Sequence, residues 1–113
     1  MEKRSFVRHI FKSLYYTNLY VVNLPKYQIK IESLLLDVSC GGCRFKFIQP
    51  DINKTRVVHD FEGYIGAELV IDSYGGKPSK APEIIGSLGE IRWVNKDVAG
   101  IMFKNRIELN VNI

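Results

Sequence analysis

Residues 34–47 read Leu-Leu-Leu-Asp-Val-Ser-Cys-Gly-Gly-Cys-Arg-Phe-Lys-Phe. An apolar run enters a turn that contains two adjacent glycines, and an alternating run leaves it. Its apolar side carries Cys43, Phe45 and Phe47, while Arg44 and Lys46 lie on the other side. Alternation with a period of two is typical of a strand with one buried and one solvated face. The stretch therefore predicts two strands that are joined by a tight turn.

Further short strands are predicted on both sides of this turn. Before it, residues 14–24 are rich in Leu, Tyr and Val, and residues 27–33 alternate,. After it, the predicted strands cover residues 67–72, 83–87, 90–94 and 99–104, with weaker candidates at 55–61 and 106–113. Loops are predicted over 50–54 and 73–82, and a polar turn over 95–97,. No segment of ten or more residues has a helical apolar period, so the sequence predicts an all-β antiparallel barrel or sandwich.

Length, composition and charge bound the class of protein. The 113 residues fit one domain, and 46% hydrophobic with 25% charged residues indicate a folded globular chain,. The net charge of +4 favours anionic partners such as phosphates, nucleic acid or an acidic protein face,. No apolar run approaches the ~20 residues of a membrane helix. The charged N-terminus lacks the apolar core of a signal peptide, which predicts a cytoplasmic location.

The first twelve residues are basic and contain two arginines in an Arg-x-x-x-Arg pattern. Arg4 and Arg8 lie four residues apart, which places both on one face of either a helix or an extended chain,. Two neighbouring guanidiniums repel unless an anion lies between them, and each can bind a phosphate or the O6/N7 edge of guanine. A solvated basic tail is the alternative, and it is favoured when this segment is taken alone.

The turn after the apolar run also has groups that suit a ligand. Asp37 can accept hydrogen bonds from the N–H edge of a purine, and Ser39 can donate to a phosphate oxygen. Gly41 and Gly42 remove side-chain bulk, so that a ligand can approach the backbone. The alternative is an ordinary hairpin turn in which Asp and Ser bond local backbone groups. Turn chemistry alone favours that alternative.

Taken in order, the two segments resemble the motifs of the PilZ domain family. Residues 4–8 (Arg-Ser-Phe-Val-Arg) match its Arg-x-x-x-Arg element, and residues 37–42 (Asp-Val-Ser-Cys-Gly-Gly) match its Asp-x-Ser-x-x-Gly element. Residues 89–94 followed by 100–103 resemble its closing hairpin, and the resemblance covers about residues 2–105. It implies one domain over residues 1–113, in which a flexible ligand-clamping arm (1–12) precedes a six-stranded antiparallel β-barrel (14–113).

The resemblance also implies a ligand and a set of contacts. Members of the family bind the bacterial second messenger cyclic di-GMP. Carried over, Arg4 and Arg8 would hold its phosphates and guanine edges, while Asp37, Ser39 and Gly42 would contact a guanine and adjoining atoms. Further candidates are Lys3, Gly41, Arg44 and Trp93. Lys3 stands where many members have another arginine, which leaves open whether one ligand molecule or an intercalated pair binds.

The implied output is a ligand-induced ordering of the arm, relayed to a protein effector of motility, adhesion or exopolysaccharide production. No cofactor is implied. A PilZ-like protein adaptor that does not bind the nucleotide is one alternative. A small nucleic-acid-binding barrel is another, although the modest charge and the core-like alternation of the aromatics count against it.

Three residues near the motifs have two interpretations each. Trp93 shares a predicted strand face with Ile91, so core packing is favoured over an exposed ring beside a guanine. An exposed ring would add ~1–3 kcal/mol of stacking, by comparison with base–aromatic pairs. Arg44 and Arg92 lie opposite the apolar residues of their strands, and plain solvated charges are favoured over anion contacts.

The sequence offers little for catalysis or metal binding. Cys40 and Cys43 form a C-x-x-C, but a redox pair needs a helix N-terminus and a strand follows here,. A zinc site needs about four ligands, and His9 and His59 are not spaced as a finger. Cys43 is therefore predicted to be a core residue and Cys40 a turn residue. No nucleophile motif, P-loop or dinucleotide fingerprint is present, which predicts a protein that is not an enzyme.

Overall fold

The computed structural model describes residues 8–10, 18–49, 60–73 and 80–109. These residues form seven strands, namely β1 (His9–Ile10), β2 (Leu19–Leu24), β3 (Ile29–Val38), β4 (Gly42–Gln49), β5 (Glu68–Ser73), β6 (Leu88–Asn95) and β7 (Val98–Phe103). Short 3₁₀ turns occupy Pro25–Tyr27, Phe61–Tyr64 and Pro82–Ile84. Nowhere in these ranges does the chain form a helix with the length and apolar character needed to cross a membrane.

Six of the strands close into an antiparallel barrel in the order β3–β2–β5–β6–β7–β4, and β4 pairs back onto β3. This confirms the predicted six-stranded antiparallel barrel. The short strand β1 extends the sheet at the far end of β3. The first residue of β2, Leu19, pairs with Leu34, and beyond that point Ile10 of β1 pairs with Asp37. Arg8, which directly precedes β1, is thereby brought to that end of β3. The rest of the predicted arm, residues 1–7 and 11–12, lies outside the described residues.

The barrel is filled by apolar side chains that point inward from all six strands. They are Tyr20, Val22, Leu24, Ile29, Ile31, Leu35, Val38, Cys43, Phe45, Phe47, Leu69, Ile71, Ile91, Ala99, Ile101 and Phe103. Burying one large apolar side chain stabilises a fold by roughly 1.5–3 kcal/mol. Closure leaves no free edge along the six-stranded ring, so the alternating strands bury one face and expose the other.

The predicted strands at 27–33, 43–47, 67–72, 90–94 and 99–104 correspond to β3 to β7, and residues 19–24 of the predicted strand 14–24 form β2. The two-residue turn at Lys96 and Asp97, predicted from the polar run 95–97, joins β6 to β7. The sheet therefore follows the period-two pattern wherever that pattern is regular.

The predicted strand at 83–87 is wrong. Pro82, whose ring fixes φ, begins a 3₁₀ turn there, and Gly86 follows with a φ of +87°,. Ile84 is fully buried and plugs the core from this turn, which explains the apolar character of the segment. The chain still bonds β5, because the Gly86 N–H donates to the Ile71 carbonyl and the Ile71 N–H donates to the Ser87 carbonyl.

Two weaker strand candidates also differ from the structure. Residues 106–109 are not a strand; Ile107 and Leu109 pack against the core, and the Ile107 N–H donates to the Cys40 carbonyl. Of the candidate at 55–61, residues 55–59 lie outside the described residues. Asp60 instead caps the next 3₁₀ turn by accepting a hydrogen bond from the Glu62 N–H at 2.9 Å. Residues 50–54 and 110–113 also lie outside the described residues.

Candidate ligand-binding site

A transverse row of paired residues forms the floor of a cleft on the outer wall of the barrel. Asp37 of β3 pairs with Arg44 of β4, Arg44 with Gly100 of β7, and Gly100 with Trp93 of β6. Directly paired residues point to the same face of an antiparallel sheet. Because Cys43 and Phe45 point into the core, this face is the outer one,. The cleft above it has a volume of about 490 Å³.

The cleft brings together most of the predicted site residues that the structure describes. Arg8, Asp37, Ser39 and Gly42 line it, as do the further candidates Gly41, Arg44 and Trp93. Arg4 and Lys3 lie outside the described residues. Three further lining residues were not predicted as site residues from the sequence: the exposed Ile10 and Met102, and the buried Gly100. Ile10, Trp93 and Met102 are large apolar side chains that line the cleft and stay partly exposed.

Asp37 is the electrostatic centre of the cleft. Its side chain is 0% exposed although it lies on the outer face of the barrel. The Arg8 Nη1 donates to its Oδ1 at 2.7 Å, and the Arg44 Nε donates to its Oδ2 at 2.6 Å. A buried carboxylate is costly unless it is paired and hydrogen-bonded, and charge-assisted bonds of this length are the strong ones. The two arginine side chains, which stay 52% and 40% exposed, thus cover the carboxylate.

Ser39 has a local role in the turn between β3 and β4. Its hydroxyl accepts a hydrogen bond from the Gly41 N–H at 3.3 Å and lies 3.3 Å from the Gly42 carbonyl oxygen, to which it donates. The Ser39 N–H donates to the same carbonyl at 2.8 Å. These are the backbone-satisfying bonds of an ordinary hairpin turn. Ser39 also lines the cleft, although it is almost fully buried.

Two glycines allow close approaches that a side chain would prevent. A Cβ at Gly42 would lie 2.2 Å from the Ile101 carbonyl oxygen, so this glycine lets β7 approach β4. A Cβ at Gly100 would lie 2.1 Å from the Trp93 Nε1, so this glycine lets the indole ring lie on β7. A glycine inside a strand pattern often marks such an approach, and that signal could have identified Gly100 from the sequence.

Trp93 is not a core residue, and the favoured interpretation of it is wrong. Its side chain is 42% exposed, whereas Ile91, two residues earlier, is fully buried. The register of β6 on β7 shifts between Ile91 and Trp93, so that Arg92 is an extra residue in the strand. A bulge of this kind reverses the faces that follow it. Trp93 therefore lies on the outer wall, with its ring between Gly100 and the cleft.

Both arginines beside the motifs also line the cleft. Arg44 is more than a solvated charge, because it is bound to Asp37. The exposed Arg92 contacts Met102, with its Nη1 3.5 Å from the Met102 Sδ. Together with Arg8, three guanidiniums and one carboxylate face this cleft, which gives it a net positive charge. A cleft of that charge favours an anionic ligand.

No known protein family, curated protein or solved structure matches this chain. A function for it therefore rests on the chemistry of the cleft and on the described motif residues that line it. Among the described residues, no three His, Cys, Asp or Glu side chains come together as metal ligands would.

The two cysteines have the positions that were predicted for them. Cys43 is buried in the core, and Cys40 is a half-buried residue of the turn; both are free thiols. Burial raises the pKa of the Cys43 thiol well above its ordinary value, and the nearby Asp37 charge raises it further, while Arg8 acts in the opposite direction. A thiol with a raised pKa is a poor nucleophile at neutral pH. Cys43 therefore serves as a small apolar residue beneath the cleft.

Proposed function

We propose that this protein is a receptor for cyclic di-GMP and not an enzyme, that it acts in the bacterial cytoplasm, and that it relays binding to a protein effector of motility, adhesion or exopolysaccharide production. One observation carries the proposal. The Arg8 and Arg44 guanidiniums and one face of an indole ring border the same cleft, above a glycine floor. Two phosphates and two planar purines are the groups that such a cleft suits.

The charge and shape of the cleft support this ligand class. Each guanidinium has five N–H donors, and those not directed at Asp37 are free to meet phosphate oxygens or a guanine O6/N7 edge. The exposed face of Trp93 offers a stacking surface, and base–aromatic stacking contributes ~1–3 kcal/mol per base. The cleft volume of about 490 Å³ falls within the ~300–1,000 Å³ that is usual for small-molecule sites.

Calorimetric titration with cyclic di-GMP tests the proposal. Wild-type protein should show saturable binding, and Arg8→Ala should weaken it at least about tenfold, because a hydrogen bond to a charged group contributes ~1.5–3 kcal/mol. Arg106→Ala is the matched control, since Arg106 is exposed and does not line the cleft. It should change the affinity by less than about twofold, as expected for a surface substitution.

Three further ligands separate this proposal from its alternatives. GTP and cyclic di-AMP should bind much more weakly than cyclic di-GMP. A single-stranded oligonucleotide that binds instead, with affinity falling steeply as salt rises, would support a nucleic-acid-binding barrel. A folded wild-type protein that binds none of these ligands would contradict the receptor proposal and favour a protein adaptor.

The proposed relay involves the segment that contains both motif arginines. Arg8 directly precedes β1, which pairs with β3 beside the cleft. A ligand phosphate held by Arg4 and Arg8 together would neutralise their mutual repulsion and fix residues 3–12 over the barrel. We therefore expect amide hydrogen exchange over residues 3–12 to slow when cyclic di-GMP is added. Exchange over residues 3–12 that stays unchanged at saturating ligand would contradict the relay. The exchange of strand β5, which does not line the cleft, serves as the internal reference.

A further inference from the structure

The carboxylate of Asp37 is already covered by two arginines in this structure. Its Oδ1 accepts from the Arg8 Nη1 at 2.7 Å, and its Oδ2 accepts from the Arg44 Nε at 2.6 Å. The Arg44 Nη2 also lies 2.6 Å from Oδ2, and the Asp37 side chain is 0% exposed. A purine that bonded this carboxylate through its N–H edge would have to displace one of two charge-assisted pairs. The neutral N–H groups of a purine form weaker hydrogen bonds to a carboxylate than a guanidinium does.

Arg44 is better placed to meet the ligand than Asp37. Of its five N–H donors, the Nε–H and one on Nη2 are directed at Asp37, and five minus two leaves three. The side chain is 40% exposed to the cleft. It is also next to the stacking surface, because Arg44 pairs with Gly100 and the Trp93 ring lies on Gly100. A purine stacked on Trp93 therefore has the Arg44 guanidinium beside its edge.

We infer that Asp37 is a positioning residue, which holds Arg8 and Arg44 at the cleft, and that Arg44 contacts the guanine on its O6/N7 edge. The inference rests on the proposed binding of cyclic di-GMP and specifies how the base is recognised. The guanine is then recognised by a donor on β4, and not by an acceptor on β3 that would bond its N1/N2 edge. Arg is the side chain that best matches the two adjacent acceptors of guanine, O6 and N7.

Ligand analogues test this with the wild-type protein alone. Cyclic di-IMP lacks the 2-amino groups of the guanines but keeps O6 and N7, so it should bind within about threefold of cyclic di-GMP. The 7-deazaguanine analogue lacks N7 and should bind at least about tenfold more weakly, because a bidentate Arg–guanine contact loses one acceptor. The opposite ranking, with cyclic di-IMP at least about tenfold weaker and the 7-deaza analogue unaffected, overturns the inference.

Substitutions on β4 give a second test. Arg44→Ala should weaken cyclic di-GMP at least about tenfold, and Arg44→Lys should not restore it, because an ammonium lacks the planar fork. Lys46→Ala is the matched control. Lys46 is exposed on the same face of the same strand, does not line the cleft, and carries the same charge. An Arg44→Ala protein that binds like Lys46→Ala overturns the inference.

A positioning role for Asp37 has its own signature. Asp37→Asn should lower the affinities for cyclic di-GMP and cyclic di-IMP by the same factor, since neither ligand contacts Asp37 directly. Its effect should also be several-fold smaller in the Arg44→Ala background, because residues that act through one another are not additive. A fully additive pair overturns the positioning role. Wild-type protein that is folded but does not bind cyclic di-GMP overturns the proposed function and this inference together, whereas the outcomes above overturn only the inference.

Discussion

Replacing Gly42 by alanine should lower the free energy of unfolding by about 3 kcal/mol, the upper part of the usual range for overpacking. The new Cβ would lie 2.2 Å from the Ile101 carbonyl oxygen and 3.4 Å from the Met102 Cα. These are backbone atoms of β7, which cannot rotate away as a side chain can. The strain is relieved only if β4 and β7 separate where Gly42 pairs with Met102.

Denaturant unfolding measures this loss, and Gly63→Ala is the matched control. A Cβ at Gly63 meets nothing within 4 Å, and this glycine has no positive φ. The control should therefore stay within about 0.5 kcal/mol of wild type. A Gly42→Ala protein that unfolds at the wild-type denaturant concentration would contradict the close approach of the two strands.

Gly42 shows why loss of ligand binding alone does not identify a ligand contact. The resemblance assigns this glycine to the ligand, and it does line the cleft. Its closest neighbour is nevertheless a carbonyl of β7, not open space. A Gly42 variant that fails to bind cyclic di-GMP is informative only when its unfolding curve shows that the barrel is intact. The arginine variants need the same check, because each removes one of the two partners of the buried Asp37 carboxylate,.

Regular alternation was enough to predict β3 and β4, whereas irregular positions were not predictable from it. A period of two fixes which side chains share a face only until an extra residue intervenes. The extra residue Arg92 in β6 reversed the face of Trp93 in this way. The apolar run at 83–87 misled for a different reason, because Pro82 begins a turn that buries Ile84 without pairing as a strand. Alternation also left barrel and sandwich open, since closure depends on which strands pair.

Of the two ion pairs at the centre of the site, only one could have been predicted from the sequence. Once the turn is placed at residues 39–42, Val38 pairs with Cys43, and Asp37 then pairs with Arg44. Hairpin register could therefore have predicted the Asp37–Arg44 contact, because opposite charges in paired positions attract. The Arg8–Asp37 contact joins residues 29 apart. It depends on β1 pairing with the end of β3 that lies beyond the residues paired with β2. No local pattern encodes that placement.

Replacing Gly100 by alanine should have the opposite profile to Gly42→Ala, with little change in stability and a large loss of cyclic di-GMP affinity. The new Cβ would lie 2.1 Å from the Trp93 Nε1 and 2.2 Å from its Cε2. These atoms belong to an exposed side chain, so the ring can swing out while β6 and β7 stay paired. We expect the free energy of unfolding to change by no more than about 1 kcal/mol. The affinity should fall about tenfold or more, because stacking of ~1–3 kcal/mol per base is lost.

Tryptophan fluorescence reports this movement without a ligand, because Trp93 is the only tryptophan in the chain. Its emission should shift to longer wavelength in Gly100→Ala as the ring leaves β7 and enters water. Trp93→Ala should lower the affinity for cyclic di-GMP to a similar degree. The double variant should bind no more weakly than Gly100→Ala alone, since both changes remove the same stacking contact. An unshifted emission would contradict the placement of the ring on Gly100. A shifted emission with unchanged affinity would instead show that the ring does not stack on the ligand, leaving the arginines to hold it.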